Sequence, residues 1–255
     1  HGRIIYPVSP QVLIAGCGTG QHPIDTATAI VECQALAVDL SLPSLAYAKR
    51  KTLELGLKNL EFMQADILSL NELGKTFDMI TCIGVLHHME DPMAGWTVLT
   101  DLLRPDGLMK IGLYSDIART YTGVVDAIKY IRQNGFSSSL GGLRESRSEM
   151  REWIKSNDLV DTPDFYSSSE YRDLLCHVKE HRFTIPQIGD ACERLGLEFL
   201  GFEDKEYGGQ LLKNFRSKFS ENTPVNDLSS WAIYEDDNPL TFTAMYEFWV
   251  RKIVK

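Results

Sequence analysis

Over the first two-thirds of the chain, short runs of apolar and β-branched residues alternate with longer stretches of helical spacing. That alternation predicts a parallel sheet covered by helices. Val12–Ala15 is apolar, too short for a helix and closed by glycines, so it reads as a buried strand. Pro23 suits a first helical turn, and Ile24–Val31 follows as a short helix. Ala35–Asp39 is a second strand, after which Ser41 can cap a helix that runs to about Gly56. Leu60–Gln64 and Phe77–Ile83 are further strands, with a helix from about Pro92 to Leu103 behind them. Pro105-Asp106-Gly107 predicts a turn in which glycine supplies the positive dihedral, and Leu108–Leu113 a fifth strand.

The alternation stops at Asp116. From there to about Arg182 the pattern is helical and loop-like, with breaks at Ser137–Gly142 and around Asp161–Ser169. Thr184 can cap a helix that starts near Pro186 and ends at Gly196, Glu198–Phe202 reads as a strand, and Thr243–Arg251 as another. The aromatic run Tyr246, Phe248 and Trp249 reads as strand core. The expected architecture is α/β: a Rossmann-like, mostly parallel seven-stranded sheet with helices on both faces and a helical insertion after the fifth strand. The expected division is a ligand-binding core over 1–115, an insertion over 116–182 and the remainder of the core, with its last two strands, over 183–255.

A chain of 255 residues can bury a sizeable core without disulfides or metals. Its 26 basic and 35 acidic residues leave a formal charge of −9, which argues against nucleic acid as a partner because such binding neutralises phosphates. No apolar run approaches the ~18 residues of a membrane span. Five cysteines without close pairing suit a reducing compartment and neither a disulfide framework nor a zinc ribbon, so the expected location is cytoplasmic. The chain opens on His1 rather than Met, as a fragment or trimmed chain would.

The sharpest chemical signal is Val12-Leu13-Ile14-Ala15-Gly16-Cys17-Gly18-Thr19-Gly20-Gln21. A strand ending in closely spaced glycines lets a ligand lie against bare backbone, with the amino terminus of the next helix aimed at it. Structural turns use the same residues, so the loop alone decides nothing. Asp39, about twenty residues on at the end of the second strand, can accept hydrogen bonds from ribose hydroxyls, or can cap the helix behind Ser41. A pyrophosphate-binding dinucleotide loop needs G-x-G-x-x-G, whereas here Gly16, Gly18 and Gly20 are spaced G-x-G-x-G and Gln21 stands where that last glycine belongs. The spacing favours a nucleoside without a pyrophosphate, S-adenosylmethionine.

These residues belong to an ordered set: Gly16–Gly20, Ala37-Val38-Asp39-Leu40-Ser41, Gln64-Ala65-Asp66-Ile67, Phe77-Asp78-Met79-Ile80, Val85-Leu86-His87-His88-Met89 and Leu103-Arg104-Pro105-Asp106-Gly107. Over roughly residues 10–115 the set resembles the class I S-adenosylmethionine-dependent methyltransferases. More loosely, 113–119, 176–184 and 245–249 resemble a bacterial subgroup often fused to tetratricopeptide repeats, which implies a repeat region upstream. The resemblance implies that Gly16, Cys17, Gly18, Thr19 and Gly20 lie under the methionine and ribose of the donor. Asp39 would hold the ribose hydroxyls, and Leu40 would pack on the adenine. Asp66 would accept from the adenine amino group, with Ala65 and Ile67 at the ring, and Cys82 and Ile83 would offer backbone groups to the amino-acid end. One position departs from the pattern: the family often has an acid two residues before the first loop glycine, where this chain has Ile14.

The sulfonium already activates the methyl carbon, so the protein mainly aligns it with the acceptor, and a base is needed only if the acceptor carries a proton. His87 and His88 after the fourth strand and Tyr114 after the fifth are the candidates, each with a structural role as the alternative. His177 and His181 share a helix face at metal-binding spacing but lack a further ligand, so no metal is expected. Arg144, Arg147, Arg151 and Lys155 interleave with Glu145, Glu149 and Glu152 as a solvated face. Two other readings share the glycine loop: a nicotinamide-dependent oxidoreductase, and a donor-binding module without catalysis. The acceptor, whether small molecule, glycan or protein, is not readable from these residues.

Overall fold

The computed structural model describes residues 7–30, 32–136, 139–156, 171, 175, 179–204, 209–243 and 245–254. Seven strands, β1 (Gln11–Ala15), β2 (Gln34–Asp39), β3 (Leu60–Gln64), β4 (Phe77–Ile83), β5 (Leu103–Leu113), β6 (Leu197–Phe202) and β7 (Tyr246–Lys252), form one sheet. Their order is β3-β2-β1-β4-β5-β7-β6, and β7 alone runs against its neighbours. This is the expected Rossmann-like α/β sheet. Because β1, β2, β4 and β5 are parallel, the loops that follow them share one edge of the sheet, and the order reverses between β1 and β4. Ligands of open α/β sheets bind at such a switch point.

Both faces of the sheet are covered, which is why its central strands read as continuous apolar runs rather than alternating ones. Val12 and Ile14 pack with Ala27 of α1 (Gln21–Ala29) and Leu45 of α2 (Leu42–Glu54). Leu13 and Ala15 join the larger core with Trp96 and Leu99 of α3 (Pro92–Leu102). Helices α4 (Asp116–Tyr121), α5 (Val124–Gln133) and α6 (Leu140–Ser156) follow β5, and α5 and α6 share a small apolar cluster of their own with Tyr171 and Leu175. Helices α7 (Ile185–Leu195), α8 (Gln210–Lys218) and α9 (Leu228–Asp237) return to the main core, where Phe215 stacks on Trp231 at 4.0 Å. Tyr246 and Phe248 are fully buried, the strand core expected of them. The helix ends follow local chemistry: Ser41 Oγ accepts the Ser44 amide, Thr184 closes a capping box with Gln187, and Gly196 ends α7 in the left-handed region.

Three boundaries differ from the sequence reading by three residues or more. Helix α1 begins at Gln21 rather than Ile24, because Gly20 at φ 97° turns the chain directly into it. Strand β7 begins at Tyr246 rather than Thr243. Strand β5 begins at Leu103, not Leu108: Leu103 pairs with Phe77 and Leu108 with Met79, so the Pro105-Asp106-Gly107 segment is a bulge within the strand. The positive dihedral there falls on Asp106, at φ 60°, and not on Gly107. A buried strand keeps its backbone groups paired on both sides of such an interruption, and Arg104 ties the bulge to Asp78 at 2.6 Å. The break around Asp161–Ser169, together with Cys176 and His177, lies outside the described residues. Among the described residues no helix is long and apolar enough to cross a membrane.

One buried carboxyl joins three elements. Glu235 of α9, 1% exposed, accepts from Ser115 Oγ and Tyr246 Oη, each at 2.7 Å. Burial raises its pKa more than these two bonds lower it. In an unfolded chain it ionises near the ordinary glutamate value of about 4.3, whereas in the folded protein it ionises later. The native state therefore holds more protons in that window, and stability falls as pH rises through it. Wild type is expected to lose stability relative to Glu235→Gln when urea unfolding is followed from below that value toward neutrality. The opposite trend would mean that the carboxyl is held ionised.

Candidate functional site

The glycine loop is shaped by packing on two of its three glycines and left open on the third. The Gly16 and Cys17 amides both donate to the Val38 carbonyl, at 2.8 and 3.0 Å, which pins the loop to the end of β2. All three glycines have positive φ. A Cβ on Gly16 would stand 2.1 Å from Val85 Cγ2, and one on Gly20 2.5 Å from Ala48 Cβ. A Cβ on Gly18 would meet no protein atom within 4 Å.

Asp39 sits beside that open glycine. Its Oδ2 accepts the Gly18 amide at 2.7 Å and its Oδ1 the Ser41 amide at 2.8 Å. The sequence alternatives for Asp39, ligand contact or local cap, are thus not exclusive. The two amides fix the carboxylate, and a carboxylate offers about four acceptor positions, so two remain. Thr19 and Leu40 are exposed beside it, Leu40 to 67%.

The loop after β3 lies next along the edge. Ala65 donates its amide to the Asp39 carbonyl at 3.2 Å, and Gln64 Nε2 holds the Leu40 carbonyl at 2.9 Å. Asp66 is exposed and caps the turn 67–73 through the Leu68 amide, while Ile67 is buried beneath. At the end of β4, Cys82 is fully buried and Ile83 half-buried. Burial pushes the thiols of Cys17 and Cys82 up to about 12, helped at Cys17 by the charge of Asp39, so both stay neutral near pH 7 and neither is a nucleophile. Ile14 is buried in the sheet, so no side-chain acid stands two residues before the loop. A cavity of about 870 Å³, lined by Val12, Asp25, Thr81, Lys110 and Trp249, lies under α1 against the face of the sheet rather than at the strand ends.

Comparison with known proteins agrees with this geometry. Residues 12–107 match the family model for a methyltransferase domain. PKMT2 from Rickettsia typhi, also solved in complex with AdoHcy, superposes with a TM-score of 0.69 at 16% identity, over 97% of this chain and 50% of that one. Residues 12–107 carry the sequence pattern of a methyltransferase domain, and the whole chain shares the fold of that neighbour. An uncharacterised protein of Synechococcus is 28% identical over 241 residues, covering 88% of this chain and 56% of its own length. A ubiquinone biosynthesis O-methyltransferase of Haemophilus ducreyi is 28% identical over 157 residues, covering 59% of this chain and 61% of its own length. The chain thus spans a little over half the length of these relatives.

On this methyltransferase fold, His87, His88 and Tyr114 come together where β4 and β5 end. The His87 ring stacks on Tyr114 with centroids 3.7 Å apart, and His88 meets His87 edge-on at 4.3 Å. His87 is fully buried, Tyr114 nearly so, and His88 half-buried. The segment 179–183 is laid over them by backbone bonds. The His181 amide donates to the His87 carbonyl at 2.8 Å, the Phe183 amide to Tyr114 at 2.9 Å, and the Asp116 amide to Phe183 at 2.9 Å. His88 Nδ1 lies 3.0 Å from the Lys179 carbonyl oxygen.

Sequence reasoning missed Arg119. It is 3% exposed, its guanidinium carbon lies 3.4 Å above the Tyr114 ring, and it pairs with Glu180 at 3.7 Å. Arginine is rarely buried without such partners. Its local sequence carries no signal, because Glu180 arrives from sixty residues further along.

Proposed function

We propose that this chain transfers a methyl group from S-adenosylmethionine to an acceptor held between the ends of β4 and β5 and residues 116–182. The observation that carries this is Asp39, fixed by two amides beside the open face of Gly18. A carboxylate with two spare acceptor positions suits a ribose diol, and a glycine without Cβ contacts suits a close-lying methionine chain. Leu40 and Ile67 would sandwich the adenine, with Asp66 at its amino group. Main-chain groups of Cys82 and Ile83 would take the amino-acid end, where carbonyls must replace the acid missing at position 14. The sulfonium supplies the electrophile, and the chain's own work is to align donor and acceptor, which in favourable cases contributes roughly 7–11 kcal/mol.

His87, His88 and Tyr114 are assigned to the acceptor side. The O-methyltransferase relative supports an oxygen acceptor as the first class to test. The resemblance to the repeat-fused subgroup adds protein and glycan surfaces to that search. Isothermal titration is expected to show one-to-one binding of both S-adenosylmethionine and S-adenosylhomocysteine, with no change in reduced nicotinamide fluorescence when NADH is mixed with the protein. Absence of heat for both donor and product, or a nicotinamide response, would overturn the assignment.

A further inference from the structure

We infer that Arg119 is a positioning residue of the proposed transfer, whose buried charge bridges Tyr114 and Glu180 and so clamps residues 179–183 over the ends of β4 and β5. The inference rests on the methyltransferase reading above. The His87 ring stacks on Tyr114 at 3.7 Å, and the Arg119 guanidinium carbon lies 3.4 Å from the centre of the same ring. Two groups that close to one ring centre cannot share a face, so Tyr114 is held between an imidazole and a cation. Glu180 supplies the counter-charge at 3.7 Å, and both members of the pair are buried, with side chains 3% and 7% exposed. An aromatic face attracts a cation most strongly where water is excluded. Removing one partner of a buried pair leaves an uncompensated charge inside, so the cation holds its two partners together.

Separate parts of the chain meet at this cation. Arg119 lies in α4, whose first turn is fixed by Ser115 Oγ, which accepts the Ala118 amide and donates to Glu235. Tyr114 follows β5, and His87 lies in the turn after β4. Glu180 comes from the covering segment, whose backbone reaches the same two places through the His181 amide on the His87 carbonyl and the Phe183 amide on the Tyr114 carbonyl. That segment carries two further ion pairs among the described residues, Lys179 with Glu90 and Arg182 with Asp116. Both are partly exposed, where an ion pair contributes little. The Arg119–Glu180 pair is removed from water and therefore fastens the segment more firmly. The donor loop is held separately, by the Gly16 and Cys17 amides on the Val38 carbonyl. Loss of the clamp therefore loosens the acceptor side and spares the donor side.

The test is amide hydrogen exchange on the full chain, followed residue by residue by NMR, with S-adenosylhomocysteine titrated into each protein. Arg119→Met keeps an unbranched side chain and drops the charge, whereas Arg119→Lys keeps the charge and drops the planar fork. Glu180→Gln removes the counter-charge from the other side and serves if Arg119→Met does not fold. In Arg119→Met and Glu180→Gln the His181 and Phe183 amides are expected to exchange at least about tenfold faster than in wild type. Exchange at Gly16 and Cys17, and the affinity for S-adenosylhomocysteine, should stay within about threefold. Arg119→Lys should bring the His181 and Phe183 amides back to within about threefold of wild type, because the charge is what it restores. Wild-type exchange in Arg119→Met, or no rescue by Arg119→Lys, would overturn the inference while product binding leaves the methyltransferase reading standing. Equal acceleration at Gly16 and Cys17 would also overturn it, since a residue that only supports the fold loosens both regions. Failure of the wild-type chain to bind S-adenosylhomocysteine would overturn both.

Discussion

Asp39→Ala is expected to weaken S-adenosylhomocysteine binding by about 10- to 100-fold, while His88→Ala leaves it within about threefold. A hydrogen bond to a charged group contributes about 1.5–3 kcal/mol, and Asp39 is assigned the ribose diol. The same side chain also holds the Gly18 and Ser41 amides, so its removal loosens the open side of the loop as well. Helix α2 keeps its own cap through Ser41 Oγ, so the variant should still fold. Asp39→Asn is not a mild control: its single carbonyl oxygen can serve one amide, and its NH₂ group faces the other donor. Calorimetry on both alanine variants, with thermal unfolding as the check on folding, decides the matter. Equal losses at the two positions would mean that the ribose lies elsewhere.

The second large effect separates two glycines of the same loop. Gly20→Ala is expected to lower stability by roughly 2–4 kcal/mol, since backbone strain and overpacking each contribute about 1–3 kcal/mol. Its φ of 97° is hard for an L-residue, and the new methyl would lie 2.5 Å from Ala48 Cβ and 2.9 Å from Ala48 Cα, backbone that has no rotamer by which to withdraw. Gly18→Ala is expected to keep most of its stability, because φ 54° is near the left-handed minimum, at about 1–2 kcal/mol. Its methyl meets no protein atom and instead enters the space assigned to the donor. Its donor affinity should therefore fall by at least about tenfold, a loss near 1.4 kcal/mol. Chemical denaturation and calorimetry on both variants give the two readings. A Gly18→Ala protein that binds donor normally would remove that glycine from the site.

The contrast between these glycines marks how far the sequence could be read. Glycine spacing predicted the turn and the approach of a ligand, yet the three positions looked alike. Only the packing of Val85 on Gly16 and of Ala48 on Gly20 distinguishes two structural glycines from an open one. Asp39 was legible as an acid at a strand end, but its bond to Gly18 spans 21 positions and exists because β1 and β2 are neighbours in register. The misplaced start of β5 has a similar origin: Pro-Asp-Gly is turn chemistry locally, and pairing with β4 on both sides converts it into a bulge.

By itself the sequence determined the architecture. Apolar period, helix caps and glycine placement are local properties, and a parallel sheet buried on both faces leaves few alternatives for strands so patterned. The loop after β1 and the acid after β2 followed from the same local chemistry. The acceptor side was decided only by the tertiary structure. The stack of His87, Tyr114 and Arg119 links the ends of two strands, and the Arg119–Glu180 pair and the carbonyl at His88 Nδ1 join these residues to 179–180. Contacts between segments that far apart leave no periodicity in the chain, because they arise from how finished elements pack and not from the propensities that form them.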